Sequence, residues 1–274
     1  MSVELIILVD NTAASAGLRA EHGLSVLVSG PGRKVLFDAA ATAETLLANA
    51  EKLGVDLAAL DAAVISHGHH DHTGGLAAVV QRRPGLEVYV HSAAFHRRWA
   101  DQPGKPLRDI SCPHSIERLY QSGAVFHSVR HPERLEDWLV LSGPIGGPKH
   151  GREVFVVRKA GEMVVDGFED EMFLLVRGQA GWAVVTGCCH RGLRNTLRTA
   201  RFLARGEPLV AVVGGLHLRR AGPQELAEVV ELLGHYEVRD LYPCHCTGQE
   251  SVAFLQEHLA GHVHPVAVGS RVIF

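Results

Sequence analysis

Six consecutive residues, His67-Gly68-His69-His70-Asp71-His72, place four imidazoles and a carboxylate in one short segment. A neutral imidazole offers a nitrogen lone pair that suits zinc, and a neighbouring carboxylate suits a second ion or orients a ligand. The cluster follows the short apolar run Ala62–Ile65 and precedes the helical pattern Leu76–Arg82. Side chains leaving so tight a strand-to-helix connection can converge on one point, whereas a His-rich surface tract lacks that framing. Three later segments share a layout of apolar strand, small residues or turn, then histidine: Val184–His190 (VVTGCCH), Val212–His217 (VVGGLH) and Leu241–Cys246 (LYPCHC). One such ending is usually a satisfied surface histidine. Three of them beside the cluster point to a shared site where strand ends meet.

The elements that must position these residues follow from periodicity. Val3–Val9 reads as a strand, and Leu24–Ser29 and Lys34–Phe37 read as a hairpin about Gly30-Pro31-Gly32, a turn and not a phosphate loop. Thr42–Leu53 is helical with Gly54 behind it, and Ser66–Gly75 reads as a polar loop. Glu87–Val90 is a strand, with Ser92 capping a helix through Trp99. Residues 101–115 carry prolines and read as a loop excursion, and Ser142–Gly151 (SGPIGGPKHG) reads either as a lid over a substrate or as a plain connection. Phe173–Val176 and Trp182–Thr186 form a hairpin. Helices at Leu193–Leu203, Leu226–Leu233 and Val252–Leu259 then alternate with strands at Leu209–Val213 and Val238–Tyr242. Strands in runs, then alternating with helices, imply two sheets with helices on their outer faces.

Composition excludes several classes. The 274 residues contain 27 Lys+Arg against 30 Asp+Glu, a net charge of −3 that supports neither a nucleic-acid nor a membrane binder. The five cysteines, Cys112, Cys188, Cys189, Cys244 and Cys246, are odd in number and form no disulfide framework; reduced thiols and a cytoplasmic location are expected. No run reaches membrane-spanning length, no linker interrupts the chain, and residues 1–274 are expected to form a single domain.

The H-x-H-x-D-H segment at a strand end resembles the signature of the metallo-β-lactamase superfamily. That resemblance implies an α/β fold, the four-layer αββα sandwich, with two metal ions at one edge. It implies that His67 and His69 serve the first ion, Asp71 and His72 the second, and that His245 completes the second set. Thr186-Gly187 resembles the pair that precedes the family's bridging aspartate, but here Cys188 stands in that place. His190 is the candidate third ligand of the first ion. His91, His96, His114, His127, His131 and His150 are expected at the surface or behind the ligands. Asp10-Asn11-Thr12, Glu21–Ser25 (EHGLS), Leu36–Asp38 (LFD), Ser66–Leu76, Gly187–Gly192, Gly214–Leu218 and Pro243–Gly248 together are similar to the dihydropteroate-synthase-like subgroup, some of whose members are named as methanopterin-pathway synthases.

The chemistry expected is that of a metallo-hydrolase: a metal-bound hydroxide at a dinuclear site attacks a small anionic molecule, phosphorylated or pterin-like. Asp71 and His217 are the catalytic candidates, the first to orient water and the second to protonate a leaving group or contact an anion; His217 is equally a residue that orients a ligand from behind. Zinc is favoured by the cysteines, with iron or manganese the alternatives. A pterin-pathway transferase that joins a pterin pyrophosphate to an aryl amine is the second reading, and a ligand-binding module with a structural metal is the third. A nuclease lacks its basic run, and a di-iron oxygen reductase lacks its carboxylate-rich ligands and flavin partner. The partner expected is a small-molecule substrate, with no nucleic acid and no membrane, and the oligomeric state is open.

Overall fold

Along the strand Glu4–Val9, Leu5 and Ile7 face one way and Ile6 and Leu8 the other, yet all four are buried. The same holds in the next strands, where Val26 and Val28 oppose Leu27, and Val35 and Phe37 oppose Leu36. Strands covered on both faces read as continuous apolar runs, which is why the first third of the sequence shows so little alternation.

The computed structural model describes residues 2–148 and 154–274. A seven-stranded sheet runs in the order Arg271–Ile273, Glu4–Val9, Ser25–Gly30, Arg33–Phe37, Ala62–Val64, Glu87–Val90, Val125–Ser128. A six-stranded sheet runs Asp240–Pro243, Leu209–Gly214, Trp182–Thr186, Phe173–Arg177, Leu139–Leu141, Glu133–Glu136. Their inner faces share one core in which Leu5, Val28 and Phe37 meet Leu174, Val185 and Val213. On the outer face of the first sheet, Leu46 and Ala50 of helix Ala43–Lys52 and Val79 and Val80 of helix Leu76–Arg82 join Leu8, Leu36 and Val88. Helices Leu193–Leu203, Pro223–His235 and Gln249–His258 cover the second sheet through Leu197, Leu233 and Leu255. The layers are therefore helix, sheet, sheet, helix, the αββα order expected. Among the described residues no helix is long and apolar enough to cross a membrane.

Two runs of parallel strands aim the chemistry. Arg33–Phe37, Ala62–Val64 and Glu87–Val90 are parallel in one sheet, and Trp182–Thr186, Leu209–Gly214 and Asp240–Pro243 are parallel in the other. Their carboxyl ends carry Asp38, Ser66–His72, Gly187–His190, Gly214–His217 and Cys244–His245, so one edge of the sandwich collects the loops that bear His67–His72, His190, His217 and His245.

Three expectations need correction. No helix runs from Ser92 to Trp99: a 3-10 turn covers Ser92–Phe95, and Arg98–Asp101 is a strand. That strand pairs with Val154–Lys159 in a third, four-stranded sheet, whose order is Glu162–Val165, Val154–Lys159, Arg98–Asp101, Arg108–Asp109. The buried Arg98 side chain is bonded to Asp166 and Asp170, distant partners that override local helix preference. The 101–115 excursion accordingly contains the strand Arg108–Asp109. The polar loop Ser66–Gly75 holds one helical turn, His70–Thr73. As for Ser142–Gly151, residues 149–151 lie outside the described residues. Of the remainder, Ile145 N–H donates to the Glu171 carbonyl, the Asn195 amide donates to Pro148 O, and Arg191 reaches Gly147 O. Those contacts fit a packed connection.

The two-faced burial makes a stability prediction. Leu174→Ala, in the core between the sheets, should lower unfolding free energy by about 2–5 kcal/mol. Phe202→Ser, at a side chain 79% exposed, should change it by less than about 0.5 kcal/mol. Urea titration of both variants measures the contrast.

Candidate metal centre

The arrangement begins at Asp38, which leaves strand Arg33–Phe37 with a positive φ of 60° and is fully buried. Its Oδ1 accepts from the Ser66 N–H at 2.7 Å, and its Oδ2 accepts from the Ser66 hydroxyl at 2.7 Å and from His72 Nδ1 at 2.6 Å. With its one proton given to Asp38, the Ser66 hydroxyl can only accept from His67 Nδ1, 2.8 Å away. Both imidazoles are thereby held with hydrogen on Nδ1 and Nε2 turned inward. His245 is fixed in the same sense. Asn11 Nδ2 donates to the His245 carbonyl at 3.0 Å, so the amide oxygen of Asn11 faces His245 Nδ1, also at 3.0 Å. Asp10 Oδ1 accepts from the His245 N–H at 2.6 Å. Carboxylate, hydroxyl and amide partners of this kind set the tautomer of ligating histidines.

Two groups of donor atoms result. In the first, the ligand atoms of His67, His69 and His190 lie within 4.8 Å of one another. The buried Nε2 atoms of His67 and His69 and both ring nitrogens of His190 have no hydrogen-bond partner among the described residues. Burial holds all three pKa values well below the usual imidazole range, reinforced by the neighbouring imidazoles, so each ring is neutral with a bare lone pair. The Phe168 ring stacks on His190 at 4.1 Å between centroids.

The second group surrounds Asp71. Its Oδ2 lies 3.2 Å from His22 Nε2, 3.5 Å from His245 Nε2 and 3.8 Å from His72 Nε2. Burial opposes ionisation of Asp71, but His72 and His245 outweigh it and hold the carboxyl well below its ordinary range. Burial likewise opposes charge on His72, yet the carboxylates of Asp38 and Asp71 lift its pKa to about 9. Cys188 lies between the groups: Sγ is 3.2 Å from His72 Nε2, and it shares ligand distance with His67, with His190 and with His245. Burial pushes the Cys188 thiol up. Burial also opposes ionisation of Cys246, but hydrogen bonds from Cys188 and His217 hold that thiol low. His67, His69, Asp71, His72, Cys188, His190 and His245 are thus brought to one place.

His217, at a positive φ of 55°, stands 4.3 Å from the His190 ring, and its N–H donates to Cys246 Sγ at 3.2 Å. Of the histidines expected elsewhere, His96 and His131 are exposed, and His127 stacks on Tyr89. His114 Nε2 is 2.9 Å from the carbonyl of Gly74, just behind the His70–Thr73 turn. His150 lies outside the described residues. Sequence reasoning missed His22 and Cys246 as donors. Glu21-His22-Gly23 carries one histidine in a connection between strands; the segment contributed to the family resemblance but gave His22 no role, and only the fold lays its ring against His245 at 5.2 Å.

Above both groups opens a cavity of about 380 Å³. It is lined by Asp71, Cys188, His190 and His245, by the apolar Phe155 and Ile110, and by the charged Arg108, Arg219 and Arg220 together with Asp101 and Glu225. Residues 142–148 do not line it.

Because Asp38 ties three site groups together from a dry position, Asp38→Ala should destabilise the ion-free protein by about 3–5 kcal/mol, the usual cost of breaking a buried charged pair. Denaturant unfolding in the presence of chelator checks this.

Comparison with known proteins agrees with this geometry. The sequence model of the Metallo-beta-lactamase superfamily matches residues 18–170, more than half of the chain. A Methanocaldococcus jannaschii protein, Uncharacterized protein MJ0448, is 30% identical over 94% of this chain and 96% of its own length. The same organism's 7,8-dihydropterin-6-methyl-4-(beta-D-ribofuranosyl)-aminobenzene-5'-phosphate synthase is 26% identical over 93% of this chain and 90% of its own. Among solved structures, Tm1679, described as a metal-dependent hydrolase of the beta-lactamase superfamily, superposes with a TM-score of 0.84 at 30% identity, covering 98% of both chains. The H-x-H-x-D-H loop, the four layers and these full-length likenesses coincide: the chain belongs to the metallo-beta-lactamase superfamily.

Proposed function

We propose that this protein is a metal-dependent hydrolase with a dinuclear site, acting on a small anionic molecule. One observation carries the reading. Three buried, neutral imidazoles present lone pairs that no described group satisfies, next to an ionised carboxylate with imidazoles around it, and two of the three, His69 and His190, line a cavity. Buried polar atoms without partners are rare in native proteins, and several turned to one point fit a cation. His67, His69 and His190 would hold one ion, and Asp71, His72, His245 and His22 a second, with Cys188 in reach of both sets. Ions bound there supply Lewis acidity and lower the pKa of water to about 7. Zinc suits the imidazole and sulfur donors best, and iron or manganese would be accepted by the imidazoles and carboxylate.

The chain's own residues divide the remaining work. The Asp71 carboxylate, kept ionised by its imidazole neighbours, orients the attacking water. His217, on the cavity wall beside His190, would protonate a leaving group. Arg108, Arg219 and Arg220 supply countercharge for a phosphate or carboxylate, and Phe155 adds apolar lining. A substrate of that size and charge needs neither nucleic acid nor membrane. The five free cysteines suit a cytoplasmic enzyme.

A second reading is favoured by the name of one relative. If that synthase's chemistry extends to this chain, the same cavity would join a pterin pyrophosphate to an aryl amine, with the arginines on the leaving pyrophosphate.

Elemental analysis of the purified protein should find two ions per chain. Chelation should abolish turnover of a panel of phosphodiesters, esters and lactones, and zinc should restore it. His69→Ala and His190→Ala should each cost at least the roughly 10–100-fold in metal affinity that loss of an outer-shell partner costs. Unchanged turnover in chelator would defeat the hydrolase reading. A condensation product from pterin pyrophosphate and aryl amine, without hydrolysis of the panel, would replace it with the synthase.

A further inference from the structure

Behind the first group of imidazoles lies a second buried cluster, which does not line the cavity and is shut off from solvent. Arg98 is 1% exposed and is among the largest fully buried side chains of the chain. Its Nε donates to Asp166 Oδ2 at 2.7 Å, its Nη2 to Asp170 Oδ1 at 2.7 Å, and its Nη1 to the Ala94 carbonyl at 3.3 Å. Asp166, Asp170 and Glu171 are themselves 1–2% exposed. Burying one guanidinium and three carboxyls is costly, and a buried ion pair is often no more stable than an apolar replacement. A role beyond stability is therefore the better account of the cluster.

The remaining bonds indicate that role. Asp170 Oδ2 accepts from the N–H of Gly68, the residue between His67 and His69, at 2.8 Å. Glu171 Oε1 and Oε2 accept from the N–H groups of His190 and Arg191, each at 2.6 Å. Met172 N–H donates to the carbonyl of Ser66 at 2.9 Å. Asp166 Oδ1 accepts from Phe168 N–H at 2.8 Å, in the turn that lays the Phe168 ring on His190. A Cβ on Gly68 would stand 1.9 Å from the Ala94 carbonyl, so the loop is pressed against the same wall that Arg98 bonds. One segment, residues 166–172, thus grips both loops that supply the first group of donors, though those loops come from different sheets.

We propose that Asp170 and Glu171, braced by Arg98, are positioning residues that set the spacing of His67, His69 and His190 and so the affinity of that group for its ion. The inference rests on the reading of these histidines as metal ligands. The device acts by geometry: a first-group triad drawn from two loops keeps its spacing only if one rigid element ties them. Two carboxylates sharing one guanidinium also leave a formal negative charge behind three neutral imidazoles, the sign that favours a cation.

Zinc competition against a chromophoric chelator, on the full chain, tests this. The wild type should show two binding steps, and the one that His69→Ala abolishes identifies the first group. Asp170→Asn is isosteric but must face either Gly68 N–H or Arg98 Nη2 with an amide donor. Glu171→Gln likewise loses one of its two acceptors. Each should weaken the first-group step by about 10–100-fold and leave the other within about twofold. Leu174→Ala, which destabilises the core without touching either loop, should move neither step, separating positioning from general stability. Where Asp170→Asn does not fold, Glu171→Gln decides by the same criterion, with Arg98→Lys as its companion. The proposal is overturned if the folded variants keep both affinities within twofold, or lose both equally. A wild type that binds no zinc would instead overturn the underlying metal reading, and this inference with it.

Discussion

Everything at the reactive edge depends on a deficit of hydrogen-bond partners. His67 Nε2, His69 Nε2 and both nitrogens of His190 are buried with none among the described residues. Leaving a buried polar atom unsatisfied costs about 1–3 kcal/mol, so concentrating several in one place works against folding unless something binds there. The partners that are present sharpen the deficit. Asp38 and Ser66 take the Nδ1 hydrogens of His72 and His67, and Asn11 takes that of His245, so that every Nε2 is left to face its neighbours. A cation bound there would convert this liability into a stabilising contact, and its binding would then become part of the folding free energy.

The backbone shows what such crowding requires. Asp38, Ala40, Cys189, His217 and His245 all adopt positive φ, and all lie on loops at this edge. Residues with side chains in that region cost of order 1–3 kcal/mol each and persist only where surroundings over-determine them. Here the surroundings are two sheets with both faces packed, whose carboxyl ends come within side-chain reach. Gly187 marks how close that approach is: a Cβ there would meet the Ser66 hydroxyl at 2.2 Å and the Asp38 carboxylate at 3.0 Å. The loop after Trp182–Thr186, from one sheet, can pass this close to Asp38 and Ser66, from the other, only without a side chain.

What the sequence disclosed follows the range of the interactions involved. The H-x-H-x-D-H segment and the helices Leu76–Arg82 and Leu193–Leu203 were readable because their information is local: spacing, a preceding strand, a helical period. The histidines at strand ends were readable because parallel strands deliver their ends to one edge. His22 was not, since its significance lies in a ring stacked on His245, more than two hundred residues away. Arg98 misled for the same reason. Its segment looks helical locally, while its conformation is fixed by Asp166 and Asp170 and by pairing with Val154–Lys159. The small third sheet, built of strands of two to six residues, is held by such distant partners and left little periodic trace.

The site is also divided by depth. His67 and His72 are absent from the cavity wall, whereas His22, His69, Asp71, Cys188, His190 and His245 reach it. The lower residues are those that Asp38 and Ser66 lock in place, and the upper ones are those open to the cavity. His22 is the extreme case, with half of its side chain exposed and its Nε2 against Asp71. A bare carboxylate at the base of an open cavity would meet bulk water and bind cations loosely. Ringed by imidazoles and set above an immobile layer, Asp71 keeps its charge and its direction together. The sandwich supplies rigidity from below, and the short third sheet, through Phe155 and Arg108, closes one side. Precision therefore comes from the strand ends that the superfamily fold provides, while on the proposed reading selection among substrates would fall to the arginine-bearing segments around them.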